Sequence, residues 1–117
     1  MSYIDGFAFT VPRSNLEDYK KLAQRTAELF KDLGATGYAE SVADDVSYGK
    51  ITSFPRAVMA SDDDVVILQW IQYASKADRN RIGAEVMQDP RMKAIMAESK
   101  VDMKHMIYGG FQTFVSF

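Results

Sequence analysis

Two segments of this chain are apolar on both faces, which constrains the fold more than any other feature. Read as a strand, Val65 to Tyr73 places Val65, Ile67, Ile71 and Tyr73 on one face and Val66, Leu68 and Trp70 on the other. Lys104 to Val115 repeats the pattern, with Ile107, Phe111 and Val115 against Met106, Tyr108 and Phe114. A sheet covered by helices on one side alternates apolar and polar residues. These strands do not alternate, so both faces avoid water. A chain of 117 residues has helices enough for one face. Leaving the other bare would expose more than the few hundred Å2 of apolar patch usual on a monomer. The pattern therefore predicts a symmetric homodimer packed sheet to sheet.

The remaining elements follow from local signals. Tyr3 to Val11 reads as a strand ended by Pro12. Ser14 and Glu17 have the spacing of a capping box. Leu16, Tyr19, Ala23, Thr26, Phe30 and Leu33 then form the stripe of an amphipathic helix closed by Gly34. Thr36 to Ala43 reads as a strand carrying Tyr38, Asp44 to Lys50 as a polar loop, and Phe54 to Ala60 as an edge strand beginning near Pro55. Ser75 caps a helix over Lys76 to Gln88, and Asp89-Pro90 restarts it, with Asp at the cap and Pro at the first turn. Gly109-Gly110 marks a bulge or a close approach in the last strand. The order β-α-β-β-β-α-α-β predicts one domain over residues 1–117, in the α+β class. It is a ferredoxin-like βαβ(β)βαβ sandwich, with an antiparallel sheet and helices on one face.

Composition narrows the chemistry. With no cysteine, disulfides, thiol catalysis and Cys-ligated metals are excluded, and one histidine cannot build a multi-His site. A net charge of -2 gives no general attraction to nucleic acid or an acidic membrane. The N-terminus lacks the basic and apolar regions of a signal peptide, and no stretch approaches the roughly 18 apolar residues of a membrane span. The expected setting is cytoplasmic. No phosphate-binding loop, dinucleotide fingerprint or nucleophile elbow is present, and no cofactor is expected from motifs. Asp62-Asp63-Asp64 lacks the alternating ligands of a calcium loop and reads as a solvated turn.

Several blocks, in order, resemble a known family. They are Asp5-Gly6-Phe7, Val11-Pro12, Asp45-Val46, Gly49-Lys50, Trp70, Asp89-Pro90-Arg91-Met92 and Met106-Ile107-Tyr108-Gly109-Gly110-Phe111. Over essentially the whole chain they resemble the YbaA-like bacterial family of unknown function (DUF1428), within the dimeric α/β-barrel superfamily. The resemblance implies a ferredoxin-like protomer, a dimer whose two sheets form a barrel, and no established activity. Two positions depart from the family pattern. Ala74 stands where a proline is usual, and His105, in Lys104-His105-Met106, stands where an arginine is usual.

Candidate chemistry rests on few side chains. His105 is the one group that titrates near neutral pH without a large shift, as a base or as an axial haem ligand. Trp70, Tyr38, Tyr108 and Phe7 are candidates to line a pocket between sheet and helices, although aromatics in strand centres ordinarily form core. Glu40 and Asp5 are candidate buried acids. Arg79, Arg81, Arg91 and Lys93 form a modest basic cluster, and seven methionines fit either core packing or an adaptable surface. Two expectations follow. One is a homodimer that binds a small ligand or partner without turnover. The other is an enzyme resembling the cofactor-independent monooxygenases of the superfamily, or a haem-binding one, with His105, Trp70 and Tyr38 as first candidates.

Overall fold

The structure, a computed structural model, describes residues 2–117. Strand β1 (Tyr3–Pro12) leads through a 3-10 turn into helix α1 (Leu16–Leu33), and β2 (Gly37–Val42) follows. A long connection carries the one-turn helix α2 (Phe54–Ala57) to β3 (Asp64–Tyr73). Helices α3 (Lys76–Gln88) and α4 (Pro90–Glu98) precede β4 (Ile107–Gln112). The strands form one antiparallel sheet in the order β2-β3-β1-β4. This is the α+β, ferredoxin-like arrangement that the sequence predicts, with β1 and β3, the two most apolar strands, at the centre.

Register assigns the faces. Phe7, Phe9 and Val11 on β1 and Val65, Ile67, Gln69, Ile71 and Tyr73 on β3 share the face covered by α1, α3 and α4. One core cluster joins Leu29 and Phe30 of α1 to Ile71, Tyr73, Ile82 and Val86, and a second joins Tyr19 to Phe9, Val11, Val65 and Ile67. The opposite face holds Ala39, Trp70, Gly6 and Gly109 in one cross-strand row, and Ser41, Leu68, Ala8 and Ile107 in the next. There Leu68 is 47% exposed, Trp70 38%, Ile107 46% and Phe111 64%.

Three local expectations are corrected, and the alternative left open at Gly109-Gly110 is decided. Phe54 to Ala60 is not an edge strand. Ser53 accepts a hydrogen bond from the Arg56 N–H at 3.1 Å and Pro55 fits the first turn, so the segment begins as a helix. Its end buries Val58 against Ala8 and Val66, covering one end of the second sheet face. The Ser14–Glu17 capping box does not form. Pro12 leads into a 3-10 turn over Arg13–Asn15, Arg13 N–H bonds to Asp63 O at 2.7 Å, and Glu17 pairs with Lys20 instead. The last strand is shorter than Lys104 to Val115. Asp102 accepts from the Lys104 N–H at 3.0 Å and holds Met103–His105 in a 3-10 turn, so pairing starts at Ile107 and ends at Gln112. At Gly110 the chain makes a close approach and no bulge. Pairing with β1 is unbroken, and a Cβ there would collide with the Tyr3 ring.

Candidate functional site

A cavity of about 330 Å3 lies between the two core clusters, under α1, α3 and α4. Phe7, Phe9 and Ile71 form its sheet side, and Leu22, Phe30, Val86 and Ile95 its helical side. Met87, Met92, Met96, Met103 and Met106, five of the seven methionines, complete the wall. Met92 and Met106 also pack against the core clusters, whereas Met87 and Met96 are about half exposed. Gly83 of α3 also borders the space, and a Cβ there would meet nothing within 4 Å.

The polar part of the wall is a hydrogen-bonded cluster. Tyr19 and Tyr38 each donate a hydroxyl to Glu40, one to each carboxylate oxygen, and Gln69 Nε2 donates to the Tyr38 hydroxyl at 2.8 Å. Antiparallel pairing of Glu40 with Gln69 and of Tyr38 with Ile71 puts β2's contribution on the helix-covered face, and α1 lowers Tyr19 onto it from above. Burial lifts the Glu40 carboxyl above its ordinary value, and the two tyrosine hydrogen bonds draw it partway back. Burial first, then the adjacent Glu40 carboxylate, pushes both tyrosine hydroxyls well above theirs. A second cavity of about 370 Å3 lies between α1 and β2 and shares Tyr19 and Glu40 with the first, so this cluster is the partition between them.

The predicted site residues are dispersed. Tyr38 lies in the cluster. Trp70 is on the opposite sheet face, and His105 is in the 3-10 turn before β4, one-third exposed, with Nδ1 3.6 Å from Asp102 Oδ2. Neither borders the cavity, although Met103 and Met106 on either side of His105 do. Phe7 lines it, and Tyr108 stacks on Phe7 from an exposed position. Of the two candidate acids, Glu40 sits in the cluster bordering the cavity. Asp5 instead holds Arg79 through both oxygens at 3.0 and 3.1 Å. The basic cluster is largely neutralised: Arg81 faces Asp78 and Glu85, and Arg91 faces Asp32 and Asp89. Sequence reasoning missed Tyr19 and Gln69. Gln69 had a signal, as the single polar residue in the row Val65, Ile67, Ile71, Tyr73.

The family described as "Protein of unknown function (DUF1428)" matches residues 2–103. The chain belongs to the DUF1428 family. It is 41% identical to the uncharacterised protein YbaA of Escherichia coli K12 over 115 residues, 98% of each chain. Among solved structures, a NIPSNAP family protein of Agrobacterium tumefaciens has a TM-score of 0.64 at 14% identity, covering 97% of this chain and 94% of that one. A dimeric ferredoxin-like protein from an uncultured marine organism has a TM-score of 0.61 at 9% identity, covering all of both chains. SnoaB, a cofactor-independent oxygenase of Streptomyces nogalater solved as a mutant, has a TM-score of 0.56 at 11% identity, covering 98% of this chain and 93% of that one. At these identities the solved structures establish a shared fold. No helix among the described residues is long and apolar enough to cross a membrane.

Proposed function

We propose that this DUF1428 protein is a homodimer whose protomers each bind a compact, largely apolar small molecule between sheet and helices, without turning it over. The observation that carries the reading is the methionine-walled cavity with one polar cluster on its wall. Its volume of about 330 Å3 falls in the range of small-molecule sites, which are mostly apolar with a few placed polar groups. Unbranched, polarisable methionines suit a wall that adjusts to its occupant. Gly83 adds support, because a mid-helix glycine costs roughly 0.5–1 kcal/mol relative to alanine, and here its missing side chain keeps the space open. Dimerisation is supported by the exposed Leu68, Trp70, Ile107 and Phe111 and by the dimeric ferredoxin-like neighbour. A cytoplasmic setting belongs to the same reading, and the cysteine-free sequence is compatible with it.

The test is a thermal-shift and calorimetric panel of small apolar molecules on the wild type and on Gly83→Phe, whose ring would occupy the cavity. A ligand at a hundredfold excess over Kd adds about 2.7 kcal/mol of stability. We expect such a shift in the wild type and its loss in the variant. Equal binding to both proteins would remove the cavity from the account.

A second reading, oxygen-dependent turnover of an aromatic substrate without cofactor, draws support from the fold shared with SnoaB and from Glu40, a carboxyl of raised basicity beside an apolar space. In this reading Glu40 and Tyr38 replace His105 and Trp70 as the working residues. Oxygen uptake with hydroxyaromatic substrates, abolished in Glu40→Gln, separates it from simple binding.

A further inference from the structure

The cavity's polar wall has a sign, and the sign names the head group it takes. Glu40 is the single charged residue among those bordering the cavity, and no lysine, arginine or histidine joins it among the described residues. Two of the bordering hydroxyls are already committed inside the protein, and the donors that remain, the Ser99 hydroxyl and the second Gln69 amide hydrogen, are neutral. The Tyr19 hydroxyl is directed to Glu40, and the Thr26 hydroxyl donates to the Leu22 carbonyl at 2.9 Å. Acceptor capacity is left over: an ionised carboxylate offers about four lone-pair sites, and the two tyrosines occupy two of them.

Resting on the ligand-binding reading above, we propose that Glu40 makes this cavity selective for apolar molecules whose head is a hydrogen-bond donor, a hydroxyl in particular, and against carboxylates and other anions. A hydroxyl entering beside Glu40 donates into an unused lone pair and leaves both tyrosine bonds intact. An ether of the same shape brings no donor and leaves that lone pair stripped of water. An anion meets the charge of a partly desolvated carboxylate, with no cation among the bordering residues to offset it. Tyr19 and Tyr38 act as positioning residues, since each holds one carboxylate oxygen and fixes the plane in which the remaining lone pairs lie. Fatty acids and acyl phosphates are thereby disfavoured, and phenols and alcohols on a bicyclic or similarly compact apolar body are favoured.

The experiment uses one apolar body with three heads: 2-naphthol, 2-methoxynaphthalene and 2-naphthoate, titrated by calorimetry into the wild type at neutral pH. Hydrogen bonds to charged groups discriminate by roughly ten- to a hundredfold. We therefore expect 2-naphthol to bind at least about tenfold tighter than the ether, and 2-naphthoate to bind weakest. Equal or tighter binding of 2-naphthoate overturns the proposal while leaving the ligand-binding reading standing. Failure of all three to bind removes that reading and this inference together. In Glu40→Gln the charge is gone and one tyrosine hydroxyl loses its acceptor, so 2-naphthoate gains affinity and the preference for 2-naphthol shrinks. An unchanged preference in that variant overturns the assignment to Glu40. The wild-type series decides the head-group preference even if the variant does not fold.

Discussion

At the scale of single residues, Glu40 carries most of the chemistry and has a measurable cost. Its carboxyl is raised above the ordinary value of 4.5 in the folded chain. A group raised by folding contributes stability that is fully present below its unfolded pKa and is lost as pH rises through the folded one. Wild-type stability, followed by urea titration, should therefore fall as pH climbs from about 4.5, relative to Glu40→Gln, which has no such group. A difference between the two proteins that stays flat with pH counts against the burial of this carboxyl. Tyr19 and Tyr38 add a second, alkaline window by the same sign. Both are raised above 10.0, so their contribution is present below that pH and disappears above it. Tyr38→Phe removes a bond to Glu40 and leaves Gln69 Nε2 without its acceptor. It should cost about 1–3 kcal/mol in chemical denaturation and move the acid-side loss to higher pH, because one of the two bonds that lower the Glu40 pKa is gone. Sequence alone marks Glu40 as an acid on a strand. It does not mark the cluster, because Tyr19, Tyr38, Glu40 and Gln69 meet only once antiparallel register and the tilt of α1 are set.

Among the elements, those with strong local signals are legible in the sequence and those shaped by distant partners are not. Helix α3 begins at Ser75, whose hydroxyl accepts from the Asp78 N–H at 3.1 Å, and α4 begins at Asp89-Pro90, as the residues indicate. Gly34 closes α1 with φ of 113°, a left-handed conformation that a side chain resists. Phe54 to Ala60 reads as a strand only when Pro55 is weighed as a strand-edge residue. Ser53 before it makes the same cap-and-proline signal that opens α4, and that signal wins. The short extent of β4 depends on Asp102 bending the chain, an effect of side chain on backbone that no apolar pattern reveals. Gly83 shows how an element can carry the trace of a site. With a helical backbone and free space around the missing Cβ, Gly83→Ala should stabilise the fold by about 0.5–1 kcal/mol in chemical denaturation. Destabilisation would mean that the position is crowded and the cavity smaller than described.

As a whole, the molecule is a slab. Its extents are 38 × 35 × 23 Å, and its radius of gyration of 14.7 Å exceeds the roughly 13 Å expected of a compact chain of this length. The thin dimension follows from the architecture, one layer of helices on one sheet, with α2 and Val58 over part of the other face. The apolar content of 47% is too much for that one interface. Its surplus lies on the far face of the sheet, where Leu68, Trp70, Ile107 and Phe111 surround a row of small residues, Ala39, Gly6 and Gly109. The Phe111 ring lies against Gly6 and Gly109, so the face offers a second copy a continuous apolar surface, and a two-fold axis would make each contact twice. The two-faced strands and the exposure of this face thus point to the same assembly. Sedimentation equilibrium at micromolar concentration should give a mass near twice the 13.2 kDa of the chain. The double substitution Leu68→Asp and Phe111→Asp should give the monomer, because the two-fold places four carboxylates in one apolar contact. Neither residue is among those bordering the methionine-walled cavity, so the monomeric variant should still bind 2-naphthol if it stays folded. Dimerisation and ligand binding then separate cleanly. A wild type that sediments as a monomer would leave the apolar face without a second copy to cover it, whatever the cavity binds.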